Sequence, residues 1–183
     1  EKLSFNISID QIERKINKNT SAIVPVHAFG NSCNMEEIDR IAKKNNLKVI
    51  YDAAQSFGVS HKGNSVLNYG DISVLSFHAT KLFHTIEGGA IITKDFKMAK
   101  KIRSMINFGF NSPYTSSYSG INAKMSEFHA AMGLAVLDDI EYILEQRKKV
   151  WLNYIDNITA PVRFQKLNDY SDYNYHYFPL VFD

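Results

Sequence analysis

In the stretch SFHATKLFHTIEGGA, residues 76–90, Lys81 lies between aromatic residues and a double glycine. A lysine amine is a nucleophile only when unprotonated, and an apolar setting at a strand end disfavours its charged form. Its reaction with a carbonyl is Schiff-base formation. Upstream, LKVIYDAAQSFG closes a branched apolar run on Asp52, and the run YDAAQSFG holds no basic residue. A buried carboxylate without a counter-charge is costly, and a cationic ring nitrogen would relieve that cost. Ser76 adds a hydroxyl able to donate to a phosphate. An amine for the aldehyde, a carboxylate for the pyridine nitrogen and a hydroxyl for the phosphate are what pyridoxal phosphate asks of a protein. Residue types alone leave the bland reading open, because strand-end aspartates are common and a lone lysine is usually solvated. His78 and His84 flank the lysine, but no cysteine or carboxylate has ligand spacing with them, so no metal site is expected. His27 is divided between a place near a cofactor and simple packing, and His129 reads as a packing group. Tyr114, Tyr118 and Lys124 are candidates to touch a sugar nucleotide.

The elements that must position these groups follow from periodicity. Ile9, Ile12 and Ile16 have helical spacing within 8–18. SAIVPVHAF predicts a buried strand over 21–27, with Pro25 as its weak point. Asn34 and Glu37 have capping-box spacing ahead of a helix whose inner stripe is Met35, Ile38, Ile41 and Ala42. Strands are expected at 47–51, 71–77 and 89–93, and a helix at about 95–106. NFGFNSPYTSSYSG is a long polar loop, a kind more often functional or disordered than idle. A long helix, bent or broken once, follows from Ser126 to about Asn157; 160–174 reads as irregular and 175–182 as a strand. Strand–helix–strand order with nearly all-apolar strands argues a layered α/β domain whose sheet is covered on both faces. Binding groups in such sheets collect beyond the carboxyl ends of the strands, where His27, Asp52 and the SFH stretch fall.

Composition bounds the function. The 183 residues carry 21 basic and 19 acidic groups, a net charge of +2, which gives no argument for nucleic acid. A single cysteine excludes a disulfide framework within the chain and fits a reducing compartment. No apolar run approaches membrane-spanning length, and a cytoplasmic protein without a membrane partner is expected. The chain opens on glutamate and closes inside an expected strand, which suggests part of a longer protein.

Several segments resemble, in order, the DegT/DnrJ/EryC1/StrS family of pyridoxal-phosphate-dependent nucleotide-sugar aminotransferases: VPVHAFG at 24–30, MEEI at 35–38, DAAQSFG at 52–58, GDISVLSFHATK at 70–81, EGGAIIT at 87–93, GINAKMSEFHAAMGLAVLDD at 120–139 and the YHYFPLV tail. The resemblance implies an aspartate-aminotransferase-like large domain, three-layered with a mostly parallel sheet, present in part with the start of the small domain. It divides the chain into part of the cofactor-binding domain at 1–137, a connecting helix at 138–159 and the beginning of the small domain at 160–183. It implies that Lys81 forms the imine with pyridoxal 5'-phosphate and moves the proton, that Asp52 pairs with the pyridine nitrogen, that Gln55 lies against the ring, and that Ser76 binds the phosphate. Asn122 would reach the cofactor of a second subunit, making a homodimer with a shared active site. The implied reaction transfers an amino group from L-glutamate to a keto-deoxysugar nucleotide, dTDP-linked by the form of the lysine segment, in deoxysugar and lipopolysaccharide or O-antigen synthesis. Other phosphate donors and an aromatic cover for the ring would lie outside the chain, so this piece alone is expected to be inactive or nearly so. The alternatives are a sugar dehydratase of the same fold, which would carry histidine in place of Lys81, and a non-catalytic scaffold.

Overall fold

In the computed structural model, residues 1–113 and 115–182 are described; Tyr114 lies outside them. Helix α1 (Ile9–Lys15) leads to β1 (Ala22–Ile23), α2 (Met35–Lys44) and β2 (Lys48–Asp52). The short strands β3 (Ser60–His61) and β4 (Asn64–Ser65) precede β5 (Ile72–Ser76), β6 (Gly89–Ile92) and α3 (Phe96–Met105). Then come β7 (Phe110–Ser112), β8 (Thr115–Ser116), α4 (Glu127–Asp138), α5 (Ile140–Asn157), β9 (Val162–Phe164), β10 (Ser171–Asp172) and β11 (Leu180–Phe182).

The main sheet has the order β1–β2–β5–β6, parallel except for the last pair. Its core lies on the α1/α2 side, where Met35, Ile38, Ile41 and Ala42 meet Val49 and Tyr51. The Asn34 side chain accepts the Glu37 N–H at 3.2 Å, the expected cap. The other face is more open than all-apolar strands suggested: Val24, Val26, Val74 and Ile91 are exposed among the described residues.

Four local expectations are corrected. The strand at 21–27 shrinks to Ala22–Ile23 with an isolated bridge at Val26, because Pro25 has no N–H and offers the ladder only its carbonyl, to Asp52 N–H at 2.9 Å. The polar loop after α3 contains the β7–β8 hairpin. Residues 160–174 are not wholly irregular: β9 pairs with β11, and β10 pairs with β3. The last strand starts at Leu180, since Tyr175 takes a positive φ of 53° and Pro179 follows. The long helix is broken at Asp139, between α4 and α5.

Late residues tie back to the earliest ones. Lys166 N–H donates to Leu3 O at 3.0 Å, Gln165 Nε2 donates to Ser4 O at 2.7 Å and Ala28 O at 3.0 Å, and Asn168 N–H donates to Asn31 Oδ1 at 2.9 Å.

Candidate functional site at the strand ends

Strand alternation puts two of the expected site residues on one face. Asp52 ends β2 and pairs in register with Val74 of β5; Ser76, two residues on, shares the face of Val74. Strand spacing and rise set their Cα atoms about 8 Å apart. Both are half-buried. Asp52 Oδ1 accepts the Ala54 N–H at 3.0 Å, and no cation pairs with it among the described residues. Ser76 Oγ accepts only a long bond, 3.4 Å, from His78 N–H.

Lys81 follows five residues after β5. Its N–H donates to His78 O at 2.9 Å, and Nζ stands 6.0 Å from the centre of the Tyr177 ring. No hydrogen bond or ion pair engages Nζ among the described residues. Leu82, Phe83 and Thr85, just beyond, are buried. Gln55 turns inward, its Oε1 accepting the Phe29 N–H at 2.6 Å. Phe29, at φ 60°, meets Tyr177 edge-on at 5.8 Å, so the residue whose N–H Gln55 accepts touches the ring nearest Lys81 Nζ. Asn122 stands apart: it is exposed, bridges to Asn107, and accepts a bond from Lys124 Nζ.

Residues 173–178, which overlap the YHYFPLV tail but were expected only as the start of the small domain, form a strap across this end of the sheet. Tyr173 OH donates to Phe29 O at 2.6 Å, with Tyr177 O at 3.1 Å. Asn174 Nδ2 donates to Gln55 O and Phe57 O, both at 2.9 Å. From α5, Arg147 donates to His176 O at 3.3 Å and Trp151 Nε1 to Tyr177 O at 3.2 Å. Dense aromatics in NYHYFP were the available signal. His176 is buried, and its ring nitrogens have no hydrogen-bond partner among the described residues. Burial first, then the charges of Arg147 and Lys81, lower its pKa to about 4.

His27 resolves as packing: it stacks on Tyr51 at 4.7 Å, its Nδ1 accepts the Cys33 N–H at 3.0 Å, and burial lowers it to about 4. His129 Nδ1 meets Ser126 Oγ at 2.7 Å at the start of α4. His78 Nδ1 is engaged by Thr80 Oγ1 at 2.9 Å. No group of three or more His, Cys, Asp or Glu side chains is placed to hold a metal ion among the described residues. None of their helices is long and apolar enough to cross a membrane.

Among the described residues, a lysine amine in the turn after β5 with no hydrogen bond or ion pair, a carboxylate without a counter-charge at the end of β2 and a weakly bonded hydroxyl at the end of β5 fit the donor set of pyridoxal phosphate. A model of the DegT/DnrJ/EryC1/StrS aminotransferase family matches residues 1–183. The chain is 43% identical over 178 residues to dTDP-4-amino-4,6-dideoxy-D-glucose transaminase of Shigella dysenteriae, covering 93% of this chain and 47% of that protein. To the Escherichia coli protein of the same name it is 40% identical over 184 residues, covering 98% and 49%. The crystal structure of DesI with its TDP-sugar product superposes with a TM-score of 0.90 at 34% identity, over 97% of this chain and 46% of that one. The chain thus spans about half the length of the curated relatives it matches.

Proposed function

Since the chain belongs to the DegT/DnrJ/EryC1/StrS aminotransferase family, we propose that its protein transfers an amino group from L-glutamate to a keto-deoxysugar nucleotide with pyridoxal phosphate. The observation that carries this reading is the Lys81 amine following β5, with no hydrogen bond or ion pair among the described residues, and Asp52 and Ser76 on one face of adjoining strands. The named activities of the Shigella and Escherichia relatives support a dTDP-linked sugar as substrate.

Pyridoxal phosphate, when bound, supplies an electron sink for breaking a bond at the donor's α-carbon. Lys81 would hold it through Nζ, Asp52 would face its pyridine nitrogen, Gln55 would border the ring, and Ser76 would take a phosphate oxygen. Lys81 Nζ would be the base that takes the proton from the α-carbon of the amino donor and later returns it. The Asp52 carboxyl group would face the ring nitrogen and favour its cationic form. Tyr177, whose ring centre is 6.0 Å from Nζ, would limit water beside the amine.

A homodimer in which Asn122 serves the other subunit's site belongs to the same reading. In its support, Phe128, Leu134 and Leu137 of α4 and the nearby Ile121 and Met125 expose apolar surface. The division into 1–137, 138–159 and 160–183 belongs to it too; α5 spans Ile140–Asn157, and β9 and β11 pair with each other.

The test is reduction with borohydride in the presence of pyridoxal phosphate, followed by peptide mass analysis. The expected product is one pyridoxyl group on Lys81, absent from Lys81→Ala. Modification spread over surface lysines would refute the assignment. A non-catalytic scaffold would give no Lys81 adduct and no transfer.

A further inference from the structure

The loop that carries Lys81 is pinned at its base. Phe77 N–H donates to Gly88 O, and Thr85 N–H donates to Phe77 O, both at 2.9 Å. The buried Thr85 uses each branch of its side chain. Its hydroxyl donates to Glu87 O at 2.7 Å. Its methyl faces α4: a Cβ on Gly133 would lie 2.8 Å from Thr85 Cγ2 and 3.5 Å from the Phe83 ring. Carbon atoms do not pack that closely, so the bare backbone of Gly133 is what lets helix and loop meet. Phe83 in turn stacks on Phe57 at 4.4 Å and meets Phe77 edge-on at 4.8 Å. Lys81 is thus four residues from a pin and directly precedes two buried side chains, Leu82 and Phe83.

We propose that Thr85 is a positioning residue for Lys81: its methyl, seated on Gly133 of α4, sets where the loop places the amine. The proposal rests on the reading of Lys81 as the reacting group, and names what holds it. Close packing leaves little room to absorb a displacement, so a push at Thr85 passes to Phe83 and Leu82 and then to Lys81. The hydroxyl keeps the base of the loop closed while the methyl fixes its depth.

A compensating pair tests this. Gly133→Ala adds a methyl where Thr85 Cγ2 already sits; Thr85→Ser removes that Cγ2 and leaves the hydroxyl. The readout is acylation of Lys81 Nζ by an N-hydroxysuccinimide ester, quantified by peptide mass spectrometry against the exposed Lys18 and Lys97 of the same molecule. Gly133→Ala is expected to change the normalised Lys81 rate on the order of tenfold. The double variant should return to within about twofold of the parent, a coupling that independent sites would not show. An unchanged rate in Gly133→Ala, or a double variant that does not recover, overturns the proposal. Should Gly133→Ala fail to fold, the double variant must fold with parent-like Lys81 labelling, and its failure overturns the proposal equally. The labelling uses no cofactor, so the borohydride result and this one can fail separately.

Discussion

Asn174 is the side chain on which the strap most depends. It is 1% exposed. Its Nδ2 donates to the carbonyls of Gln55 and Phe57 at 2.9 Å each, and its Oδ1 accepts the His176 N–H at 3.2 Å. Asn174→Ala removes all of these bonds and strands buried backbone groups on both sides. Each loss costs about 1–3 kcal/mol, and shared partners make the sum less than additive, so roughly 3–5 kcal/mol is expected. The cost should fall on docking of the strap before it falls on the whole fold. The α2 core shares no partner with Asn174, and Arg147 and Trp151 still hold the 176 and 177 carbonyls. Hydrogen exchange followed by mass spectrometry separates the two. Protection in a peptide covering 173–178 should drop by about two to three orders of magnitude, at roughly 1.4 kcal/mol per tenfold. Protection in a peptide covering 35–44 should change far less. A strap whose exchange stays near the parent's, or a loss spread evenly over both peptides, would refute the reasoning.

Three further outcomes are expected. Burial holds His27 neutral with its pKa at about 4; the unfolded chain, near 6.5, binds the proton first as pH falls, so stability present above pH 6.5 is lost on the way to 4. Its share is about 3 kcal/mol, so His27→Gln should lessen the fall of the urea midpoint across that window while buried His176 keeps its own share, and an unchanged slope would contradict the account. Glu36 is lowered to about 2 by a hydrogen bond from Lys62, with His61 adding to it against the opposing effect of burial. Its contribution is present above the ordinary value of 4.5 and lost as pH falls toward 2. The side chain is nearly half exposed, so the difference between parent and Glu36→Gln should be about a few tenths of a kcal/mol at pH 7 and vanish on acidification; a difference that widens in acid would count against it. Asp52→Ala should cut turnover by on the order of a hundredfold or more, as loss of one preorganised electrostatic group does, while Lys81 is still trapped by borohydride; loss of the trapped adduct as well would assign Asp52 to binding alone.

Much of this architecture can be read in the sequence where the apolar pattern is long enough to have a period. The α2 stripe, its Asn34 cap, and the strands ending at Asp52 and Ser76 are of that kind. The β3–β4 hairpin is not. Its strands are two residues each, too short to alternate, and the informative residues are Lys62 at φ 50° and Gly63 at φ 75°, a mirror-image turn. The same holds at the site. Lys81, Asp52, Gln55 and Ser76 stand out by type and by family order. The strap does not, because its hold depends on polar side chains reaching backbone carbonyls more than a hundred residues away, and such pairing leaves no local pattern. Thr85 is hidden for a related reason: only the approach of Gly133 reveals what its methyl does.

The ties between residues 165–168 and residues 3–31 also bear on how the molecule is made. On a translating ribosome, at about 5–20 residues per second, the opening segment waits roughly ten to thirty seconds before its anchoring partners emerge. In that interval the turn that will cradle Gln55 has the Asn6 side chain, bonded to Ala28, Asn31 and Ser32, but lacks the bonds from 165–168. A nascent chain halted shortly before residue 160 should therefore expose that turn to protease, whereas one released past residue 178 should shield it.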